Sequence, residues 1–315
     1  MKKFIAMLFI TFIVICLFAG CNKNIEERVI RFSGPSNLHS AAFFVMEELN
    51  LIANHIENVK IISISSDSGS AINEALIGGQ IDVGLLGQSH FLIGMDKNVP
   101  YRIATPVSYN KIALVTNNPN IRSLNDIGPD DRIAVSSLTS GGAMFLYMAC
   151  EQQLGDWNAL KEQLVIIVNQ EDALLALINK AGITLTTIDA TSISIATQSG
   201  GYVVFEDSDV SDIRFMLCVF NESFYEQYPD LYKAFLAALE EAVQLINSRD
   251  DRALEIISKA VNLDKDLLIE YLDLGWIKYS MSMDDLNLEP FIDISLKTGV
   301  ISSRKPLEEM IFGQR

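Results

Sequence analysis

Short β-branched runs alternate with longer segments of helical periodicity along most of this chain, and that alternation constrains its fold more than any other feature. Val29-Ile30-Arg31-Phe32 reads as a strand, Ser40 to Asn54 as a helical stretch and Val59 to Ile64 as a second strand. Ser70 to Ile77 is helical and stops at Gly78-Gly79, a usual C-terminal stop. Ile81 to Leu86, Gln88 to Met95 and Tyr101 to Val107 continue as strand, short helix and strand. Repetition of this kind implies right-handed crossovers and mostly parallel sheets.

A second series follows the strand Lys111 to Thr116. It runs through strands at Arg132 to Val135, Leu164 to Val168, Ile183 to Ile188 and Tyr202 to Phe205, with helices between them at Gly142 to Leu154, Glu171 to Lys180 and Ser192 to Gln198. The apolar strand Ile213 to Phe220 closes it, and the remainder reads as almost all helix. The strands near 111–116 and 213–220 bracket the second series, so the simplest architecture inserts that unit into the first, with the chain crossing twice at a hinge. The expected division is a first lobe over 29–110, a second lobe over 111–212, and a mostly helical return to the first lobe over 213–315. A chain of 315 residues has room for two such units.

The N-terminus follows a different plan. Lys2 and Lys3 precede an uncharged apolar run from Phe4 to Ala19, the layout of a secretory signal peptide, which predicts a leader over 1–20. The run ends in Leu17-Phe18-Ala19-Gly20-Cys21, which resembles a bacterial lipobox. The resemblance implies lipidation at Cys21 after cleavage, a polar linker over 21–28, and a folded body outside the cytoplasmic membrane. The competing reading is an uncleaved anchor helix. No later stretch reaches the ~18 uninterrupted apolar residues of a bilayer span. Cys150 and Cys218 then remain in apolar surroundings, as two buried thiols or as a disulfide.

Composition excludes several classes. Asp and Glu number 40 against 24 Lys and Arg, a formal charge of −16. That excess argues against a nucleic-acid partner and against electrostatic docking on anionic lipid. The three histidines, at 39, 55 and 90, have no nearby cysteines, so no zinc spacing and no metal site is expected. No nucleophile elbow accompanies the Ser, His and Asp residues, and no Walker-type phosphate loop is present. No cofactor is implied.

Three stretches carry a family resemblance. Gly69 to Gly84 (GSAINEALIGGQIDVG) resembles a stretch common in the solute-binding proteins of ABC importers, where a helix ending in glycine leads through Gln-Ile-Asp-Val-Gly into a strand. Ile121 to Val135 (IRSLNDIGPDDRIAV), followed by Ser136 to Gly142, is similar to the entry to the second lobe. Ile183 to Ala190 (ITLTTIDA) is similar to that lobe's counterpart of the first stretch, with Leu185-Thr186-Thr187 where relatives usually carry a glycine-plus-acid turn. Their order and spacing resemble the type II periplasmic-binding-protein fold, in the subgroup of nitrate, sulfonate, taurine and thiamine-pyrimidine binders. The fold implied is α/β, with two mostly parallel sheets flanked by helices, a hinge cleft and a helical C-terminal tail. The partners implied are a small-molecule ligand, an ABC permease with its ATPase subunit, and the membrane through the anchor at Cys21, the binder itself being a monomer.

In open α/β sheets ligands collect outside the carboxyl ends of strands, where helix starts present N–H groups. Applied to the first lobe, this picks out Ser36, Asn37 and His39, then Asp67, Ser68 and Ser70, then Gln88 and Ser89, with Tyr109 and Asn110 at the crossing. In the second lobe it picks out Ser137, Thr139, Ser140 and Gly141, then Gln170 and Glu171, then Asp189 and Thr191. The glycines and hydroxyls of 137–142 let a backbone approach a ligand oxygen closely, although an ordinary helix cap uses the same residue types. Tyr109 is placed where a ring can stack on a ligand. These loops hold Asp67, Glu171 and Asp189 but no Lys or Arg, Lys111 being the nearest base. A sulfonate would bind there through N–H groups and hydroxyls, whereas a nitrogen heterocycle gains more from the carboxylates. Binding needs no catalytic residue. The rival classes are an enzyme on the same fold, like the dehydratases of menaquinone biosynthesis, and a sensing lipoprotein without transport.

Overall fold

A computed structural model of the chain describes residues 28–66, 68–210 and 215–313. The expected leader, Cys21, all but the last residue of the linker, and Asp67 lie outside the described residues.

The first unit runs β1 (Arg28–Gly34), a single 3-10 turn over Leu38–Ser40, α1 (Ala41–Glu48), β2 (Val59–Ser65), α2 (Gly69–Ile77), β3 (Val83–Leu86), α3 (Gln88–Asp96) and β4 (Tyr101–Asn110). The second runs β5 (Ile112–Thr116), β6 (Ile133–Val135), α4 (Gly141–Leu154), β7 (Leu164–Ile166), α5 (Gln170–Ile178), β8 (Leu185–Asp189), α6 (Ala190–Gln198) and β9 (Tyr202–Glu206). The chain returns through β10 (Phe215–Asn221) to α7 (Glu222–Gln227), α8 (Pro229–Asn247), α9 (Asp251–Val261), α10 (Lys265–Asp273), β11 (Ile277–Tyr279), α11 (Glu289–Lys297) and α12 (Leu307–Met310).

Two sheets result. One has six strands in the order β11-β4-β10-β3-β1-β2, the other five in the order β7-β6-β8-β5-β9. The expectation of mostly parallel sheets describes β1, β2 and β3, and likewise β6, β7 and β8, which pair in parallel. Both sheets are nevertheless mixed. β10 runs antiparallel to β3 and β4, and β5 antiparallel to β8 and β9. The reason is where these strands begin. A strand arriving from the other unit enters at the crossing, beside the carboxyl ends of the βα strands, and so runs back against them. β11, which starts beside Asn110, is antiparallel to β4 for the same reason. The expected all-helix tail missed this strand because three residues are too few to show a period.

Packing follows the apolar patterning. Pro229 opens α8 at its first turn, and α8 buries Leu231, Phe235, Leu239 and Ile246 against the first sheet's outer face at helical spacing. α4 is different: Ala143 to Cys150 are all buried. A helix apolar all round is covered all round. Here one side faces the second sheet and another faces α11 of the tail, so one apolar cluster joins Phe91 and Leu217 of the first unit to Met144 and Met148 of the second and to Phe291 and Ile294. Cys150 and Cys218 are both free and buried in separate clusters, which sets aside the disulfide reading. Burial pushes the Cys150 thiol up to about 12.

Asp82, the acid of the Gln-Ile-Asp-Val-Gly stretch, has a structural task. Its carboxylate accepts from the Arg31 backbone N–H at 2.8 Å and from Arg31 Nε and Nη2 at 3.0 and 2.6 Å, while Arg31 Nη1 donates to the Gly79 carbonyl at 2.6 Å. This bidentate pairing fixes the turn after α2 onto β1 and raises the Arg31 pKa, chiefly through the hydrogen bond to Asp82.

Candidate functional site

Between the two sheets lies a cavity of about 280 Å³. Helices α2 to α6 all contribute residues from their starts or N-caps: Gly69, Gln88, Gly141, Gln170 and Asp189. A helix start carries a partial positive charge from the aligned peptide dipoles, so five such ends facing one hollow favour acceptor groups there without basic side chains. Among the described residues no Lys or Arg lines it.

Of the expected residues, the structure brings Asn37, His39, Gln88, Ser89, Asn110, Ser140, Gly141, Gln170 and Asp189 to this wall. Asn37 caps the 38–40 turn by accepting from the His39 N–H at 3.0 Å. His39 Nδ1 lies 3.3 Å from Ser108 Oγ, and that hydroxyl donates to the His39 carbonyl at 2.9 Å, which fixes the imidazole's base. Ser140 caps α4, accepting from the Ala143 N–H at 3.2 Å and donating to the Ser137 carbonyl at 2.8 Å. Asp189 caps α6, its Oδ1 accepting from Thr191 Oγ1 at 2.8 Å and from the Ser192 N–H at 3.3 Å. Asn110 Oδ1 accepts from the Ala190 N–H at 3.3 Å, tying the end of β4 to the start of α6 in the other unit. Gly142 follows Gly141 on the wall, and a Cβ there would sit 2.4 Å from Thr187 Oγ1, so the close approach of α4 to β8 requires glycine.

Gln88 stands apart. It is 3 % exposed, lines the cavity, and neither its Oε1 nor its Nε2 has a hydrogen-bond partner. It opens α3 after Gly87, a cap with no side chain to accept from the first-turn N–H groups. A buried amide left unpaired costs stability, and one that faces a cavity offers a donor and an acceptor to whatever enters it.

Other expected residues hold the wall without forming it. Ser36 hydrogen-bonds Ser65 at the exposed rim. Ser68 caps α2, and Ser70 is exposed beyond it. Ser137 and Thr139 lie 3.5 Å apart in the loop that Ser140 closes, and Thr191 braces Asp189. Glu171 is exposed, and its neighbour Gln170 takes the wall position, donating to Ser192 Oγ at 3.2 Å.

Tyr109 is placed differently from Asn110. Successive residues of a strand face opposite sides, which separates Tyr109 from Asn110. Asn110 lines the cleft, and Tyr109 lines a separate hollow behind the crossing, its ring 5.4 Å from Lys278 Nζ. That hollow also holds Lys111, whose N–H donates to the Trp276 carbonyl at 2.7 Å, whose ammonium lies 4.9 Å from the Trp276 ring centroid, and which pairs with Glu206 of β9. Trp276 packs on the apolar clusters of both units.

The sequence reading missed His90 and the apolar wall. His90 lines the cavity, and burial holds its imidazole below the ordinary value, hence neutral near pH 7. Ile72, Leu85, Ile112, Phe215, Met216 and Phe291 supply the apolar lining. Leu85, Ile112 and Phe215 lie on strands and Ile72 on α2, all at or beside the predicted loops; Phe291 carries no local signal. Among the described residues no cluster of His, Cys, Asp or Glu could hold a metal, and no helix is long and apolar enough to cross a membrane.

Comparison with solved structures gives the fold. The periplasmic aliphatic sulphonate binding protein SsuA from Escherichia coli superposes with a TM-score of 0.72 at 18 % identity, covering 90 % of this chain and 92 % of that one. The alkanesulfonate-binding protein SsuA from Xanthomonas axonopodis pv. citri, bound to MOPS, gives 0.74 at 14 % identity, covering 91 % and 99 %. A ligand binding component of an ABC-type import system from Staphylococcus aureus, with zinc bound, gives 0.71 at 16 % identity, covering 90 % and 96 %. No curated protein matches the sequence. The model of the family described as NMT1/THI5 like matches residues 57–253, a span that takes in the second unit, the cleft wall from Gly69 to Met216 and all of α8. With its two mixed sheets flanked by helices in the architecture of the periplasmic binding proteins, the chain belongs to the NMT1/THI5-like family.

Proposed function

We propose that this chain is an extracytoplasmic solute-binding lipoprotein, anchored through Cys21, that captures a small molecule between its lobes and delivers it as a monomer to an ABC importer. The lobes are 29–110 with 213–315, and 111–212, closing by hinge motion about the crossings. The observation that carries this reading is the buried, unpartnered Gln88 amide facing a cavity ringed by helix starts. The ligand is a compact amphiphile. Its acceptor-rich head takes N–H groups at the starts of α3 and α4, and its body lies on Phe215, Met216 and Phe291. Asp189 is the charged side chain on the described wall, and its Oδ1 is engaged in capping α6. That weakens the case for a cationic ligand and favours a sulfonate head, as on the sulfonate-binding neighbours. A nitrogen heterocycle is the second reading, supported by that same carboxylate and the Phe215 ring on one cavity wall. Binding by fixed dipoles requires no group to change protonation, which fits a carrier better than an enzyme.

The test is titration of the full-length chain in detergent with linear alkanesulfonates and, separately, with 4-aminopyrimidines. At ligand concentrations near 100 times Kd, binding stabilises the fold by about 2.7 kcal/mol, a clear rise in thermal midpoint. Mass spectrometry of the recovered ligand should show it unchanged. Turnover would favour the enzyme, and a flat response to both series would overturn the ligand assignment.

A further inference from the structure

The C-terminal tail contributes to the cleft. α11 packs on α3 of the first unit and on α4 of the second. Phe291, in its first turn, is 3 % exposed and lines the cavity. The helix is held on both sides. Lys297 pairs with Glu151 of α4. Beyond α11, Asp96 Oδ1 at the end of α3 accepts from the Ser302 N–H at 3.0 Å, the Ser302 hydroxyl at 2.8 Å and the Ser303 N–H at 3.3 Å. Arg304 then turns back onto Glu289 and Asp293 along the exposed side of α11. Phe291 therefore sits on a helix tied to both lobes in this arrangement, which sets its ring at a defined point of the wall.

We propose that Phe291 is a specificity-determining residue, limiting how far the apolar body of a ligand extends from the helix starts that hold its head. The inference rests on the small-solute reading above. An apolar stop discriminates by size, since one methylene too many in a closed apolar pocket costs about tenfold or more in binding. Polar groups of the wall recognise the head and are blind to tail length. The ring that measures length comes from about 200 residues further along the chain than Gln88.

The experiment measures Kd by calorimetry for linear alkanesulfonates of increasing length against the full-length wild type, Phe291→Leu and Phe291→Ala. Wild type should show an optimum at a short chain and a steep fall beyond it. Phe291→Ala should move the optimum to a longer chain and improve binding of the longest probe about tenfold or more relative to the shortest. Phe291→Leu should move it less in the same direction, and carries the test if the alanine variant does not fold. Phe91→Leu, in the same apolar cluster but off the cavity wall, should leave the order of the series unchanged. The same optimum in wild type and both Phe291 variants overturns the inference while leaving the binder intact. A Phe91→Leu shift equal to that of Phe291→Leu overturns it as well, since general loosening of the cluster would then suffice. Wild type binding none of the probes overturns the sulfonate reading and the inference together.

Discussion

Gly94→Ala should destabilise the protein by about 3 kcal/mol, at the upper end of what overpacking a core costs. In an ordinary exposed helix the same change would stabilise by about 1 kcal/mol, because alanine loses less backbone entropy. The sign reverses here because a Cβ at position 94 would lie 1.6 Å from Tyr101 Oη and 2.6 Å from Cζ. Tyr101 cannot step aside. It is 1 % exposed, and its hydroxyl is placed 2.9 Å from Asn73 Oδ1 and 3.2 Å from the Phe91 carbonyl. Asn73 in turn donates to the His90 carbonyl at 3.0 Å, so the clash spreads from α3 to α2. Denaturant unfolding would measure the loss. Adding Tyr101→Phe to Gly94→Ala should recover part of it, because the nearest clashing atom is then gone. An unchanged or higher midpoint for Gly94→Ala alone would show that α3 shifts freely along its neighbours. Because α3 carries Gln88 and Ser89 into the cleft, any shift large enough to relieve the clash should also weaken binding.

Gln88→Met should move stability and binding in opposite directions. The native amide buries a donor and an acceptor with no partner, at a cost of about 1–3 kcal/mol per group in mutational series. Methionine has a similar unbranched shape and needs no hydrogen bonds, so the ligand-free variant should be as stable as wild type or more so. Its affinity for the sulfonate probes should fall by about 10–100-fold, the worth of one or two buried hydrogen bonds. Thermal unfolding without ligand and calorimetric titration with it give the two numbers. A purely structural glutamine would show a drop in stability and no change in affinity, and that pattern would remove Gln88 from the site.

Much of this arrangement is legible in the chain itself. The alternation of β-branched runs with amphipathic helices gives two α/β units. The rule that ligands gather at the carboxyl ends of strands brings out Gln88, Ser140 and Asp189 from loops far apart in sequence. The rest depended on direction, which local sequence does not encode. Tyr109 and Asn110 look equally placed at the crossing until the strand's pleat sends one forward and one back. Glu171 and Gln170 differ in the same way at the start of α5. Asp82 belongs to the most familiar stretch of the chain, yet its carboxylate is consumed by Arg31. Phe291 is out of reach of local reading altogether. Its place on the wall comes from Asp96 capping the segment after α11 and from Lys297 meeting Glu151, contacts between residues remote in sequence.

The crossing between β4 and β5 has an optical consequence. The chain has two tryptophans. Trp157 belongs to the second unit, edge-on to Tyr147 and 5.5 Å from the Lys161 ammonium, and packs against the apolar cluster shared by both units. Trp276 faces Lys111 at the crossing itself and stacks on Tyr271 of the first unit. Under the proposed hinge motion, rotation of one unit against the other should change the charge felt by the Trp276 indole. Ultraviolet emission from an unlabelled sample should therefore shift as ligand is added, reporting the proposed closure without any added dye.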